Sequence, residues 1–523
     1  MLRCGVMFRL RFGKERGSAL QNIGGERNSP PMGQWALRMS RRVAGAMVGV
    51  LALSGCALDT RLPKPDLRLP STFEAGATDR AETLAPQALD QWWTLFGDAQ
   101  LTELITQALS ASPDARTAMA RLKEAGATVN ETLYGLLPQG DLKGSGTQER
   151  VTTKYRSVPA SLQPFLGAFG FNGNEKLYSG SLNVSWELDL FGRDITAIQT
   201  ARADLAAARF DYEATRMSLA ANVASALFQA RGLAIQLDDA KENARLNRDL
   251  ATVGRRKSDH GIGSTADAAR LESAAASAEA QVEQLDAELK GAKRALLILI
   301  GRGADASSSL PVDARAFDPP PVPVTAPGDL ITRRPDVREA EAKVRSAAGR
   351  LHLDKLAVLP TFTLLPSGTY SRQEAQYTTI TQTSALGVGA SVPLLSLPKL
   401  LAEVRAQGAR GEQAVIAYEK AVQSAYGDAE KGLTTLKADE TRLGLLKTAA
   451  DKSRFAYDAA RTGYGLGLTD LTSLVQAEQG WRAAQSAYTG AQTAALVDAV
   501  TTFKALGGGW AADRAGPGKG TGR

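Results

Sequence analysis

The chain has 523 residues, is 44% hydrophobic and carries a formal net charge of +7, enough length for several domains and a sizeable core. Residues before Cys56 hold nine Lys/Arg against Glu15 and Glu26, which is the whole of that excess; the remainder is balanced and gives no reason to expect nucleic-acid binding. Two cysteines, Cys4 and Cys56, exclude a disulfide framework or a zinc site, and His260 and His352 pair into no metal or catalytic set.

In chain order, Arg41 and Arg42 precede an apolar run over 43–53 that ends in Leu53-Ser54-Gly55-Cys56. Basic flank, apolar run and small-residue box read as a secretory leader over 1–55, its apolar run too short to span a bilayer. Met32 or Met39 is an alternative start, which would make the first thirty or so residues an over-long beginning. The box resembles that of bacterial lipoproteins, which implies a diacylglycerol thioether and an N-acyl chain on Cys56, with no other cofactor. Several chains would anchor where one holds only marginally. Ala57 after the cysteine, where Asp would favour inner-membrane retention, favours the outer membrane. Residues 56–90 are expected to be a lipidated, extended N-terminal segment.

The chain is then written twice, as 91–310 and 333–506. Pro113-Asp114-Ala115-Arg116 returns as Pro335-Asp336-Val337-Arg338, and Ser145-Gly146-Thr147 as Ser367-Gly368-Thr369. Farther on, Leu182, Val184, Leu190, Gly261 and Gly263 match Leu386, Val388, Leu394, Gly465 and Gly467 at a shorter offset. Each copy predicts helix, strand, hairpin loop, strand, long helix, glycine turn, long helix. In the second strand Leu182, Val184, Trp186, Leu188 and Leu190 alternate with polar residues, as Leu386, Val388, Ala390, Val392 and Leu394 alternate with small or polar ones. Such strands suit a membrane barrel, with the edge of a soluble sandwich as the competing reading.

The long helices show sevenfold spacing in Leu205, Tyr212, Leu219, Ala226 and Leu233, in Leu271, Ala278, Leu285, Ala292 and Leu299, and in Val415, Val422, Ala429, Leu436, Leu443, Ala450, Tyr457 and Tyr464. Sustained heptads mean coiled-coil packing, and a helix of about 60 residues would be near 90 Å long. Charges between the seams (Arg202, Asp204, Arg209, Asp211, Glu213) are read as solvated faces. Residues 311–332, with Pro319-Pro320-Pro321, form an extended proline-rich strap, and 507–523 a disordered tail.

Two hairpins give four strands, and an open sheet in lipid would leave backbone groups unpaired, so other chains must close it. Gln91-Trp92-Trp93-Thr94-Leu95-Phe96-Gly97-Asp98, Ser112-Pro113-Asp114, Trp186-Glu187-Leu188-Asp189-Leu190-Phe191-Gly192 and Arg333-Arg334-Pro335-Asp336-Val337, in this order along the chain, resemble the TolC-like outer-membrane factors, of the NodT and OprM efflux lipoprotein type. The resemblance implies a mainly α fold with membrane β: a tandem-repeat subunit of a trimeric, 12-stranded outer-membrane β-barrel continued by a periplasmic α-helical coiled-coil barrel. It further implies a non-enzymatic exit duct for drugs or other small molecules, partnered by a periplasmic membrane-fusion adaptor and an inner-membrane transporter of the resistance-nodulation-division type.

The same resemblance makes the glycine turns at Gly261, Gly263, Gly465 and Gly467 adaptor-docking tips. Asp470, Tyr464, Arg461 and Asp267 flank them as candidates for the closed gate, with Asp470 in an acidic, cation-selective constriction. Helix capping is the competing role for the two aspartates. Gln476 stands where relatives often carry Asp, so the usual acidic ring does not carry over whole. His260 could tune tip opening with pH; exposed and idle is the alternative. A type I protein-secretion duct and a periplasmic coiled-coil adaptor or scaffold lipoprotein are the competing functions. The box at Cys56 disfavours the first and the paired hairpins the second.

Overall fold

The structure, a computed structural model, describes residues 61–74, 89–152, 159, 161, 173–322, 326–375 and 377–510. The chain divides into Met1–Asp59 and Thr60–Arg523, and all described residues belong to the second unit. The leader, Cys56 and residues 511–523 lie outside them.

The first repeat begins on a capped helix. A 3-10 turn, Trp92–Phe96, leads to Asp98, whose carboxylate accepts from the N–H groups of Gln100 and Leu101 and starts α1, Ala99–Ala111. Helices α2 (Pro113–Gly135) and, in the second repeat, α6 (Pro335–Leu356) both open with proline at the first position and an aspartate in the first turn. In the first repeat β1 (Gln139–Val151) and β2 (Gly173–Glu187) form a hairpin, followed by α3 (Arg193–Asp259) and α4 (Thr265–Leu299). After a short helix α5 (Asp329–Arg333) and α6, the second repeat runs β3 (Thr361–Glu374), β4 (Thr378–Ser391), α7 (Leu397–Gly465) and α8 (Leu471–Ala505). The four strands make one antiparallel sheet in the order β1-β2-β3-β4. At 67 residues α3 is about 100 Å long.

The main core lies where both repeats end. Trp92 stacks on Phe503 of α8 (5.6 Å) and meets Phe96 edge-on, and Phe96 in turn packs on Phe228 of α3 (5.1 Å). Leu101, Ile105, Leu296, Leu297 and Ile300 complete it. The segment 61–74 runs along α7: Leu62 sits against Gly411, the Asp66 N–H donates to Glu419 and Phe73 stacks on Tyr426.

Several sequence expectations are corrected. Leu188–Leu190 and Val392–Leu394 continue the alternation but lie beyond the strand ends. Asp189 there accepts from the Arg193 and Asp194 N–H groups, turning the backbone into α3. The heptad through Leu205 and Tyr212 leaves both half-buried, while Ala207, Phe210 and Met217 are buried instead; α3 has neighbours on several sides and no single seam. Asp204 is not merely solvated, since it accepts from Ser346 (2.5 Å) and Arg350 (3.1 Å) of α6. The strap buries Val322 and ends in the helical turn α5. The first four residues assigned to a disordered tail are packed: the Gly509 N–H donates to Leu89 O, and Trp510, 6% exposed, donates from Nε1 to Arg333 O and meets Phe210 edge-on.

Candidate functional site: the sheet and the hairpin tips

The register of the sheet puts every even-numbered strand residue on one face and every odd-numbered one on the other. The even face carries Leu142, Leu182, Val184, Leu364, Leu386 and Val388, of which Leu142 is 80% and Leu386 75% exposed. The odd face is polar in rows that cross all four strands, such as Ser145, Ser179, Ser371 and Thr381, with the first two hydroxyls 2.8 Å apart. Leu177, Leu365 and Ala385 are among its apolar exceptions.

Aromatic residues bracket the apolar face. Tyr178 and Trp186 lie eight residues apart on β2, and Tyr370 and Phe362 the same distance apart on β3. That is about 27 Å along a strand, or about 20 Å along a membrane normal at the usual barrel tilt, close to the band that aromatic girdles flank. The outer edges of β1 and β4 pair with no strand among the described residues.

At the far end, both helical hairpins reverse through one construction. In the first, the Gly261 N–H donates to Ser258 O and the Ile262 N–H to Lys257 O; in the second, Gly467 donates to Tyr464 O and Leu468 to Gly463 O. These paired bonds close a helix around a left-handed residue, and Gly261 (φ 72°) and Gly467 (φ 75°) supply it. The return helices are capped alike, by Ser264 accepting from the Ala266 N–H and by Asp470 accepting from the Ser473 N–H (2.8 Å).

The true correspondences are therefore Gly261 with Gly467 and Ser264 with Asp470, two residues away from the pairing expected from sequence. Gly465 belongs to the last turn of α7, and the counterpart of Gly263 is Thr469. A Cβ on Gly263 would lie 3.0 Å from Lys257 Cβ, and one on Gly463 would meet the Thr469 side chain. The two positions thus exchange which partner is small. Helix α7 is two residues longer than α3, while α4 and α8 are equal at 35.

The tips meet where Lys257 Nζ lies 5.4 Å above the Tyr464 ring. Arg461 is exposed on the last turns of α7. Asp267 is in the first turn of α4, 4.0 Å from Arg270, and is not the cap. Hydrogen bonds from the Ser473 side chain and backbone hold the Asp470 carboxyl below the ordinary carboxylate range. His260 is exposed, with Nδ1 2.8 Å from Arg256 O, and His352 is exposed. Gln476 lines a groove of about 700 Å³ between the hairpins, which also holds Asn247 and Glu478. Glu478 is 5% exposed, and burial raises its pKa, opposed by Arg482 and by a hydrogen bond from Asn247 (3.2 Å).

Two buried charge clusters escaped sequence reasoning. Arg231 of α3 is 4% exposed; it pairs with Asp98, donates to Gln100 (2.7 Å) and lies 4.7 Å over the Phe317 ring of the strap. Arg334, 6% exposed, joins Asp336 and Asp428 to the Ala425 and Ala505 carbonyls. Asp98 and Arg334 stand in distinctive sequence blocks, but their partners are remote, and only a buried-charge argument could have drawn attention to them.

Comparison with known proteins fits this geometry. The family model described as outer membrane efflux protein matches residues 104–302 and 326–508. The pyoverdine export outer membrane protein OpmQ of Pseudomonas aeruginosa is 28% identical over 493 residues, covering 91% of this chain and 99% of its own. The toluene efflux pump outer membrane protein TtgC of Pseudomonas putida is 25% identical, over 90% and 96% of the two chains. Nodulation protein T of Rhizobium leguminosarum bv. trifolii is 25% identical, over 82% and 89%. Among solved structures, the outer-membrane channel OprN superposes with a TM-score of 0.72 at 26% identity, covering 86% of this chain and 99% of that one. The Campylobacter jejuni CmeC channel, at 19% identity, shares the fold with a TM-score of 0.75, over 86% and 94%. With both repeats matched, the chain belongs to the outer membrane efflux protein family and is an outer-membrane efflux component built on a channel fold.

Proposed function

We propose that the chain is one third of a homotrimeric exit duct for small molecules, in which three four-stranded sheets close a twelve-stranded barrel and three pairs of helical hairpins continue it as a tunnel. The observation that carries this is the sheet: an exposed apolar face between aromatic rows, a polar face behind it, and two outer edges that no strand covers among the described residues. In lipid, such edges would leave backbone groups unpaired at several kcal/mol each, so neighbouring copies must cover them. The polar rows then line a lumen, and conduction needs no nucleophile or cofactor. By analogy with relatives named as efflux-pump and pyoverdine-export proteins, the tips at Gly261, Gly263, Gly465 and Gly467 meet a periplasmic adaptor, behind which stands an inner-membrane transporter. Tyr464, Arg461, Asp470 and Asp267 surround the closed entrance.

The reading includes a lipid anchor at Cys56. Leu62 contacts Gly411, fourteen residues along α7 from its start at Leu397, or about 21 Å of helix.

The full chain purified in detergent should run as a trimer and open discrete pores in planar lipid bilayers; a monomer, or no conductance, would sink the duct. Mass spectrometry of the N-terminal peptide should find diacylglycerol on Cys56, absent from Cys56→Ser.

A further inference from the structure

A closed barrel must join β4 of one copy to β1 of the next, the two edges that pair with no strand among the described residues. The internal repeat indicates how they meet. Strands β1 and β3 begin at Gln139 and Thr361, and β2 and β4 end at Glu187 and Ser391. The junction of β2 with β3 inside the chain is therefore the counterpart of the junction of β4 with the next copy's β1. Inside the chain Glu187 faces Thr363 and Trp186 faces Leu364. At the corresponding positions, Ser391 faces Asp141 and Ala390 faces Leu142 of the next copy.

Symmetry fixes that register to within two residues. The two hairpins themselves differ by that much, because Gln139 faces Ser185 while Thr361 faces Ser391 and not Gly389, the counterpart of Ser185. A shift of one residue is excluded, since it would turn the apolar side of one strand to the polar side of the other.

Side-chain size separates the registers that remain. Within the sheet, glycines stand opposite large residues where Gly140 faces Val184, Gly146 faces Tyr178 and Gly368 faces Leu182. In the symmetric register every pair over 385–390 sets a Gly or Ala against a larger residue, as Leu386 with Gly146, Val388 with Gly144, Ala390 with Leu142 and, on the polar face, Gly389 with Lys143. Two residues one way, Val388 would crowd Leu142 while Ala390 met Gly140; two the other way, Ala390 would meet Gly144 and Leu386 the polar Gln148.

Given the trimeric duct, we infer that the β4 edge of one copy takes the β1 edge of a second copy in the symmetric register. Leu386 and Val388, which a lone subunit leaves exposed, then cover the surface left open by the β1 glycines.

Cysteine pairs read the register. Ala385→Cys would be combined in turn with Ser145→Cys, Thr147→Cys and Glu149→Cys in the full chain in detergent. Light scattering gives the size of each protein before oxidation with copper phenanthroline, and non-reducing gels then count covalent dimers and trimers against the parent oxidised alike. The Thr147 pair should cross-link about tenfold faster than the other two, because diagonal neighbours lie about 7–8 Å apart, beyond the reach of a relaxed disulfide. Ala390→Cys with Leu142→Cys, measured against Gly144→Cys, reads the same register on the other face and serves if the first set does not assemble. A trimer that cross-links best through Ser145 or Glu149, or through none of the three, overturns the register and leaves the duct standing; a monomer overturns both.

Discussion

The same structural unit is used twice, yet its long helices live in different surroundings. Helix α3 is wrapped by α1, α2, α4, α6 and α8 and carries 21 buried residues, Arg231 among them. Helix α7, two residues longer, buries 14 and packs mainly on α8 and α6 with the N-terminal segment along one side. It leaves Ile416, Leu445 and Phe455 exposed, the last at 74%. Duplication thus preserved the path of the chain, while packing made one copy the pillar of the subunit and left the other with apolar surface for further contacts.

The largest expected difference between the copies follows from the buried ion pair on the pillar. Arg231→Met leaves the Asp98 carboxylate, 5% exposed, without its cation, and breaking a buried pair typically costs about 3–5 kcal/mol. Denaturant unfolding should show that loss in full, or the chain should fail to assemble. Replacing Lys399, which is 77% exposed in its pair with Glu403 on α7, should leave the midpoint nearly unchanged. Equal effects would remove the distinction between pillar and outer helix.

The contrast also explains what the sequence could disclose. Strand alternation was legible because each sheet face meets one environment, so the identity of Leu182 or Leu386 reports its side directly. The heptad on α7 was legible for the same reason: Val415, Val422, Ala429, Leu436, Ala450 and Tyr457 are all buried along one seam. On α3 the pattern through Leu205 and Tyr212 failed because a helix touched from several sides has no unique period. The partnership of Asp98 with Arg231 spans 133 positions, and nothing local in either segment announces the other. Trp510 was lost among glycines whose flexibility masks a side chain that docks on Phe210.

The tips sharpen the comparison at about 1 kcal/mol, because the structure and the sequence pair their glycines differently. Gly467→Ala forces a left-handed position on an L residue, as Gly261→Ala does, and each should lower stability by about 1–2 kcal/mol. Gly465 is the last residue of α7 and has open space around its Cβ direction, so Gly465→Ala should be neutral or stabilise by about 0.5–1 kcal/mol. Thermal unfolding of the three variants decides the matter. Loss at Gly465 with tolerance at Gly467 would restore the pairing of Gly261 with Gly465.

The smallest effect separates the two caps. Ser264 is neutral and Asp470 is charged, although both accept a backbone N–H at the start of a return helix. Because its hydrogen bonds to Ser473 hold the folded Asp470 carboxyl below 3.8, its stabilisation is fully present above 3.8 and is lost as pH falls through the lower, folded value. Asp470→Ala should therefore lower the melting temperature at pH 7 and matter less at pH 3, whereas the loss from Ser264→Ala should not depend on pH. The same Asp470→Ala protein in a bilayer tests the gate: closed-state conductance should rise if the carboxylate also helps to close the entrance. A stability change with conductance untouched would leave Asp470 as a cap alone, with Tyr464, Arg461 and Asp267 as the remaining candidates for the closure.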